Sequence, residues 1–497
     1  MTSTRGFFRF ATVAVSAFAV ALTLASAPAA SAATAATPLA DAPLPFTFAT
    51  TGWDIVDLPE GVKPYQASTA PSLVDTKPHD ANGVRKFIKN GVTYDHPQGQ
   101  AALGLAMLDG YRVSKDKRYL TIALANANRL VATKVIDKTV ISDGAWFYPY
   151  KFSFPLHGYV NETMTVPWYS GMAQGQALAL FTRLAVVTGD DAWRTAADRT
   201  FASFLVGRRT GGPWVSEKDA DGHLWLEEYA APTGKPAPDR TFNGHNFAIS
   251  GLYEYYELSK DPRDAKLLDG AMTATLAHLP QIRQLGWISH YCLAHPQILS
   301  TSYHAIHVRQ MVWFHQFTHD TKFVRWADMM MTDYPAPALT GTLYLSKGAH
   351  TAYVFNSAGT ILRSRTVTLT RSSSAPLDQR KKVYRRGGYY YEVTAGTFKG
   401  MLVKEVATSQ YLRGARALIG YPATRTVAFA AGAKVSALGV NTSNDVDRSS
   451  TLTFTERTTM AINARGIVNG VDRVRIAGGE AANLWVPTTS VTLDAAP

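Results

Sequence analysis

The sequence predicts an α+β multidomain protein, an (α/α) toroid of about four helical hairpins over residues 85–335 followed by two small all-β modules at 338–415 and 416–497. Three observations predict it. Apolar residues recur at helical spacing in eight stretches, the stretches pair across short polar links, and the pairs repeat along the chain. Beyond Pro335-Ala336-Pro337 the helical period gives way to short alternating runs.

The first pair is Gly99–Val113 with Tyr119–Val131, joined by Ser114-Lys115-Asp116-Lys117. The second is Gly171–Val187 with Trp193–Leu205, joined by Thr188-Gly189-Asp190-Asp191. Phe247–Leu258 and Ala265–Leu279 flank Lys260-Asp261-Pro262-Arg263, and Ala305–Phe317 and Phe323–Met331 flank His319-Asp320-Thr321-Lys322. One aspartate marks each link; Asp116, Asp190, Asp261 and Asp320 are spaced 74, 71 and 59 apart. Each first helix follows a polar and aromatic cluster: Tyr94-Asp95-His96-Pro97, Pro167-Trp168-Tyr169-Ser170, Phe242-Asn243-Gly244-His245 and Tyr303-His304. If the pairs curl into a ring, the clusters meet at one mouth with helix N-termini pointing into it. Such a mouth favours an anionic ligand.

The later part reads as strands in Thr366-Val367-Thr368-Leu369-Thr370, Tyr389-Tyr390-Tyr391-Glu392-Val393 and Thr451-Leu452-Thr453-Phe454. A weaker repeat runs through it. Lys347-Gly348-Ala349-His350-Thr351 returns as Ala431-Gly432-Ala433-Lys434-Val435, and Gly400-Met401-Leu402-Val403-Lys404 as Asn483-Leu484-Trp485-Val486-Pro487, at an offset of 83 to 84. These two modules resemble SH3-like wall-associated modules of exported bacterial proteins; plain β-sandwich packing without a ligand is the equal alternative. The basic run Arg380-Lys381-Lys382 with Arg385-Arg386 reads first as a solvated loop and second as an anion-binding patch.

Arg5 and Arg9 precede the small apolar stretch Ala11–Ala25, and Ala30-Ser31-Ala32 fits a small-residue cleavage motif. Residues 1–32 are therefore expected to be a signal peptide, and 33–84 an N-terminal extension. The apolar stretch falls short of the ~20 strongly apolar residues of a membrane span, so the expected location is secreted, extracellular or cell-wall associated. Cys292 is the only cysteine, which excludes an intramolecular disulfide. A formal net charge of +12 suits an acidic polysaccharide or a charged envelope. No nucleic-acid motif is present, and no nucleic-acid partner is expected.

Nucleotide fingerprints and the Gly-x-Ser-x-Gly elbow are absent, so no cofactor is expected. His304 and His307 are three apart, with His290 and His295 nearby. No carboxylate or cysteine completes a recognised ligand pattern, and the reading is no metal, with structural or substrate-binding histidines instead. Asp219-Ala220-Asp221-Gly222 reads as a β-turn, because Glu227 comes too early to close a calcium loop.

Three blocks carry a sharper resemblance. They are Pro167-Trp168-Tyr169-Ser170-Gly171-Met172-Ala173-Gln174-Gly175-Gln176 with Thr188-Gly189-Asp190; Leu226-Glu227-Glu228-Tyr229 with Asn243-Gly244-His245-Asn246-Phe247 and Gly251-Leu252-Tyr253; and Ser302-Tyr303-His304-Ala305-Ile306-His307-Val308-Arg309-Gln310. In order and spacing they resemble D-glucuronyl C5-epimerases, over roughly Tyr94 to Asp333. The resemblance implies a helical toroid that epimerises hexuronic acid residues within a polysaccharide.

That chemistry removes the proton α to the uronate carboxylate from one face and returns one to the other, with two acid/base groups facing across the ring. The resemblance implies Tyr229 and Tyr303 as the opposing pair and Glu228 as proton relay or hydrogen-bond partner. Tyr94, His96, Trp168, Tyr169, Gln174, Gln176 and Asn243 are the candidates for the sugar subsites. Gln174 and Gln176, two apart on a helix, cannot share a face, so one of them is expected to bond neighbouring backbone. Gly286-Trp287-Ile288-Ser289-His290-Tyr291-Cys292 lacks the arginine the family often carries there. Neutralising the carboxylate then falls to His290, Arg309 or the helix N-termini.

Two other functions fit the same residues. A polysaccharide lyase shares the C5 proton abstraction, and a glycoside hydrolase on a similar toroid needs two carboxylates at the mouth, for which Asp95 with Glu227 or Glu228 is the evident pair. A non-catalytic glycan- or wall-binding protein is the third class.

Overall fold

The structure, a computed structural model, describes residues 37–335 and 339–494. The expected signal peptide, and Ala336 and Pro337 of the expected linker, lie outside the described residues. Eight long helices form four hairpins: α1 (Pro97–Ser114) with α2 (Lys117–Thr133), α3 (Gly171–Thr188) with α4 (Asp191–Phe201), α5 (Phe242–Ser259) with α6 (Pro262–Ile282), and α7 (Thr301–Thr318) with α8 (Thr321–Asp333). None of the described helices is long and apolar enough to cross a membrane.

The repeated aspartate explains the repeated turn. Each first helix ends on a residue in the left-handed region, Lys115, Gly189, Lys260 or His319, at φ between 51° and 68°. The next residue is Asp116, Asp190, Asp261 or Asp320, which caps the second helix by accepting the backbone N–H two residues on, at 2.8–2.9 Å. A left-handed stop followed at once by an N-cap reverses the chain in two residues.

Burial separates the helices into two layers. On α2 the buried positions are Tyr119, Ala123, Asn126, Ala127 and Leu130, one helical face; α4 repeats this with Trp193, Ala196, Ala197, Thr200 and Phe201. By contrast, α3 is buried from Ala173 to Thr182 without a break, and α5 from Phe242 to Tyr255. The first helices thus form the inner layer, α1 beside α3, α3 beside α5 and α5 beside α7, and the second helices back them. Glycine sets the closest crossing. A Cβ on Gly175 would meet Ala248 Cα at 2.5 Å, and one on Gly251 would strike the Gly175 carbonyl, so α3 and α5 touch backbone to backbone.

Short hairpins inserted ahead of the inner helices, among them Lys86–Lys89 with Val92–Asp95 and Ser216–Lys218 with Leu224–Leu226, build up the N-terminal end of the inner layer. The Asp219–Gly222 segment is the turn of the second of these, with Asp219 Oδ1 accepting the N–H groups of Asp221 and His223. The opposite end is closed by the N-terminal extension. Asp269 accepts the backbone N–H groups of Thr51 and Gly52, Val56 N–H donates to the Phe317 carbonyl, and Leu58 N–H donates to Tyr253.

Two seven-stranded antiparallel sheets follow. In the first the order is Ile361–Leu369, Gly348–Phe355, Leu402–Lys404, Tyr390–Val393, Ser373–Lys381, Gly341–Leu345, Gln410–Leu412. In the second it is Val446–Thr453, Lys434–Val440, Trp485–Pro487, Val471–Ile476, Thr458–Val468, Ala415–Phe429, Thr492–Leu493. Position for position the topology is the same, which is the structural form of the sequence repeat. The two sheets differ in what they pack on. The first has a core of its own around Leu343, Leu377, Tyr391 and Val403. The second shares one continuous core with the helices through Ile419, Tyr421, Val427 and Phe429. At that junction the buried Arg425 holds Asp328 of α8 at 2.7 Å and Asp494 at 2.8 Å, and Tyr421 donates to Asp328 at 2.5 Å.

The basic run divides: Arg385 and Arg386 lie exposed in a turn, as a solvated loop predicts, while its first two residues do not. Arg380 and Lys381 end a strand, where Arg380 is buried against Glu405 at 2.7 Å and Lys381 pairs with Glu392 at 2.6 Å.

Candidate active site

A cavity of about 1180 Å³ opens at the N-terminal ends of the inner helices and reaches down between them. Each inner helix contributes: Gln98 from α1, Met172 and Gln176 from α3, Asn243 and Phe247 from α5, and Tyr303, Ile306, Arg309, Trp313 and Gln316 from α7. The α7 residues follow the three- and four-residue steps of one helical face. Tyr65 of the N-terminal extension forms part of the floor, between the rings of Phe247 and Trp313 at 6.0 and 5.7 Å.

Just beyond the strand Leu224–Leu226 the chain divides two adjacent glutamates. Glu227 is fully buried and accepts the N–H groups of Tyr229 and Arg240, each at 3.0 Å, which pins the loop. Glu228 lines the cavity, and its Oε2 is shielded from solvent without a hydrogen-bond partner. It lies against Gly244, in the first turn of α5, where any side chain would collide with it. Burial, with a smaller contribution from the Asp239 charge, pushes the Glu228 carboxyl up to about 8, against the opposing hydrogen bond of Tyr229.

Three phenols adjoin it. Tyr229 Oη is 3.3 Å from Tyr291 Oη, and the Tyr291 and Tyr303 ring centroids are 4.5 Å apart. Burial first, and then the Glu228 charge, raises all three above the ordinary phenol value. At neutral pH the phenols keep their protons, and the Glu228 carboxyl becomes the proton acceptor as pH rises toward 8. Sequence reasoning expected Tyr229 and Tyr303 to face one another as a separate pair. Both line the cavity, and Tyr291, which that reading passed over, stands beside each of them; it sits in a loop, where no periodicity marks it.

The remaining wall is aromatic and polar. Trp168 stacks on Tyr150 at 3.8 Å and donates its indole N–H to the Phe152 carbonyl. His96 caps α1, its Nδ1 accepting the Gly99 N–H at 3.0 Å, so that the ring proton resides on Nε2. Burial holds this imidazole down at about 4, hence neutral. The Asn243 Oδ1 is buried without a partner. Arg309 lies 5.6 Å from the Trp313 ring centroid, and among the described residues no carboxylate pairs with it.

Eight of the fourteen sequence-predicted residues therefore line one cavity: Glu228, Tyr229, Tyr303, His96, Trp168, Gln176, Asn243 and Arg309. Six do not. Tyr94 packs behind the wall on Phe152, and Tyr169 is buried on Phe147. Gln174 bonds Trp146, Tyr148 and Ser203, the backbone-binding role that its two-residue offset from Gln176 demands. His290 bonds the Pro296 carbonyl. His304 spans Ser289 and the Met330 carbonyl, and His307 bonds Ser289 Oγ beside the Phe242 ring. These histidines tie the α6–α7 loop to α7 and α8. Asp95 is withdrawn as well, held by Lys86 and Arg129 at 2.9 and 2.7 Å. Among the described residues Glu228 is the only carboxylate lining the cavity, which removes the carboxylate pair a glycoside hydrolase requires. Tyr65, Lys89 and Tyr150 also line it and escaped sequence reasoning.

A cleft at the N-terminal ends of two-layered helical hairpins, with phenols around one buried carboxyl and a guanidinium that no described carboxylate pairs with, has the groups of an acid–base site. Residues 142–332 match the family described as D-glucuronyl C5-epimerase C-terminus. A D-glucuronyl C5-epimerase of Caenorhabditis elegans is 26% identical over 204 residues, 37% of this chain and 31% of that protein. The chain thus spans about a third of that relative's length. Among solved structures, cellobiose 2-epimerase from Spirochaeta thermophila matches with a TM-score of 0.36 and 15% identity, over 51% of this chain and 63% of that one. Cellobiose 2-epimerase from Bacillus thermoamylovorans matches with a TM-score of 0.35 and 12% identity, over 48% and 58%.

Proposed function

We propose that this chain is a uronyl C5-epimerase that acts on glucuronate-type residues of an acidic polysaccharide. The observation that carries the reading is that Glu228, Tyr229 and Tyr303 line one cavity, with Tyr291 Oη 3.3 Å from Tyr229 Oη. In the proposed reaction the C5–H bond breaks toward Tyr229 oxygen while the Tyr229 proton passes to Glu228. The electron pair moves into the uronate carboxylate, whose charge Arg309 balances. Tyr303 then delivers its proton to the other face of C5. Tyr291, hydrogen-bonded to Tyr229 and packed on the Tyr303 ring, returns the proton from the Glu228 end to the Tyr303 end and resets the site. His96 Nε2–H, Gln98, Gln176 and Asn243 Oδ1 suit sugar hydroxyls, and Trp168 and Tyr65 suit sugar faces.

We read the inner and outer helical layers as an (α/α) toroid, residues 1–32 as an export signal and the protein as secreted, with the 85–335 segment catalytic. The 338–415 and 416–497 segments are read as SH3-like modules suited to a cell wall. The net charge of +12 supports an acidic polymer as partner.

The test is incubation with heparosan-type and other uronate polymers in D₂O, read by proton NMR. Deuterium at C5 together with the inverted uronate is the expected result. Unsaturated uronate without inversion makes the protein a lyase. Absence of exchange on every polymer, from folded protein, leaves a glycan-binding role.

A further inference from the structure

Behind the Tyr291 side of the cavity, four side chains from three separate chain segments converge. They are His157 from the turn after Phe154–Pro155, Asp239 from the loop ahead of α5, and Cys292 and His295 from the loop between α6 and α7. One potential ligand atom from each lies within 4.8 Å of all the others. Asp239 Oδ1 is 3.0 Å from His157 Nε2 and 2.7 Å from His295 Nδ1, and Cys292 Sγ is 3.7 and 3.8 Å from the same two nitrogens. Asp239 and Cys292 are fully buried, and the two imidazoles nearly so.

The buried thiol is held equidistant from the two ring nitrogens and also donates to the His295 carbonyl at 3.8 Å, long contacts for hydrogen bonds. Zinc–sulfur and zinc–nitrogen bonds of ~2.3 and ~2.0 Å at a tetrahedral angle put sulfur and nitrogen about 3.6 Å apart, close to the spacing seen. The outer contacts also match those of a metal-bound set. His295 Nε2 faces Glu162 Oε2 at 2.9 Å, which leaves Nδ1 for a metal, and Asp239 Oδ2 accepts the Thr241 hydroxyl at 2.5 Å. His157 is held in the left-handed region at φ 51°, a conformation disfavoured for histidine and retained here where its ring meets the cluster.

We infer that His157, Asp239, Cys292 and His295 bind one divalent transition metal, with zinc the best match to a donor set of one sulfur, two nitrogens and one carboxylate oxygen. Four protein ligands make the site closed and therefore structural. It adds a shared centre to three loops, two of them already linked by backbone hydrogen bonds such as Ala294 N–H to the Asp239 carbonyl, directly beside the phenols: Tyr291 immediately precedes Cys292, and its ring stands edge-on to His157 at 5.5 Å. The metal thereby sets the position of Tyr291 against Tyr229. The Cys-x-x-His spacing at 292–295 is the one trace of this site in the sequence; Asp239 and His157 lie 53 and 135 residues earlier.

The experiment uses the whole chain, purified without chelators, loaded with Zn²⁺ and desalted, with metal quantified per chain. About one equivalent retained against a colorimetric chelator is expected, with at least a tenfold loss of affinity in Cys292→Ser and in His295→Gln. Substitution of Co²⁺ in the unmutated protein is expected to give a thiolate-to-metal charge-transfer band and the visible spectrum of a four-coordinate ion. This measurement does not depend on any variant folding. Retention of substoichiometric zinc, full affinity in Cys292→Ser, or a Co²⁺ complex without the thiolate band each overturns the assignment.

Discussion

The Glu228 carboxyl packs directly on the Cα of Gly244: a methyl group added there would meet Cβ and Cδ of Glu228 at 2.7 Å, and Oε2 closer still. The position of this carboxyl, whose Oε2 has no hydrogen-bond partner, is thus set by the absence of a side chain in the first turn of α5. Gly244→Ala should push Glu228 out of place at a cost of about 1–3 kcal/mol. Epimerisation should fall at least tenfold while the far-UV circular dichroism of the folded chain stays unchanged. Unaltered turnover in Gly244→Ala would show that Glu228 need not sit there.

Tyr303→Phe and Tyr291→Phe should fail differently. Loss of the proton donor in Tyr303→Phe should remove about 10²–10⁴ of the rate and abolish C5 deuterium incorporation. In Tyr291→Phe both terminal groups remain and only the connection is cut. Its first turnover should be preserved in rapid-quench measurements, with steady-state turnover slowed. Equal loss in both phases would place Tyr291 in the chemical step itself.

The pH dependence follows from Glu228. Its carboxyl is pushed up to about 8, so the base form gains population as pH rises. The ascending limb of kcat/KM should have its midpoint near pH 8, with the rate at pH 6 about a hundredfold below the plateau. Stability runs the other way. A carboxyl whose folded value lies above its ordinary 4.5 contributes stability fully below pH 4.5 and loses it as pH rises to about 8. Glu227, raised to about 8 by burial and then by the Glu217 charge, has the same sign. In thermal melts between pH 5 and 9, Glu228→Gln should therefore lose less stability than the unmutated chain, by about 4 kcal/mol.

Arg425 is the buried pin between the second sheet and α8. Arg425→Ala leaves Asp328 and Asp494 without their cation, and breaking such a pair costs about 3–5 kcal/mol. A lowered Tm and faster protease cleavage near Gly420 are expected, with the first sheet, which has its own core, less affected.

Arg309 is the cavity cation without a carboxylate partner among the described residues. Arg309→Gln should raise KM for a uronate polymer and flatten its dependence on salt, with melting within about 0.5 kcal/mol of the unmutated chain, as for other exposed positions. A normal KM would assign the uronate carboxylate to Lys63 or Lys89 instead.

The helical hairpins were legible because their signals are local. An apolar face is written in steps of three and four residues, and Asp116, Asp190, Asp261 and Asp320 cap helices by bonding an N–H two residues away. The two-residue offset of Gln174 and Gln176 was likewise enough to separate their roles. The β repeat could be read because strands at an offset of 83 to 84 residues carry the same alternation, which the matching sheet orders repeat.

The site was legible only in part. Glu228, Tyr229 and Tyr303 stand in motifs, whereas Tyr291 and the His157–Asp239–Cys292–His295 cluster lie in loops, whose side chains obey no period. Within the predicted clusters the sequence could not distinguish cavity-facing residues such as Trp168 from core-facing neighbours such as Tyr169. By itself, then, the sequence determined the helical pairs, their caps, the strand repeat and the Glu-Tyr and Tyr-His motifs, all of which depend on residues within a turn or a strand of one another. Tertiary structure alone decided that Tyr65 meets Trp313 across nearly 250 residues, that Tyr291 stands beside Tyr229 and Tyr303, and that Gly244 makes room for Glu228. Those contacts arise where elements distant in the chain are packed together, and packing is a property of the whole fold.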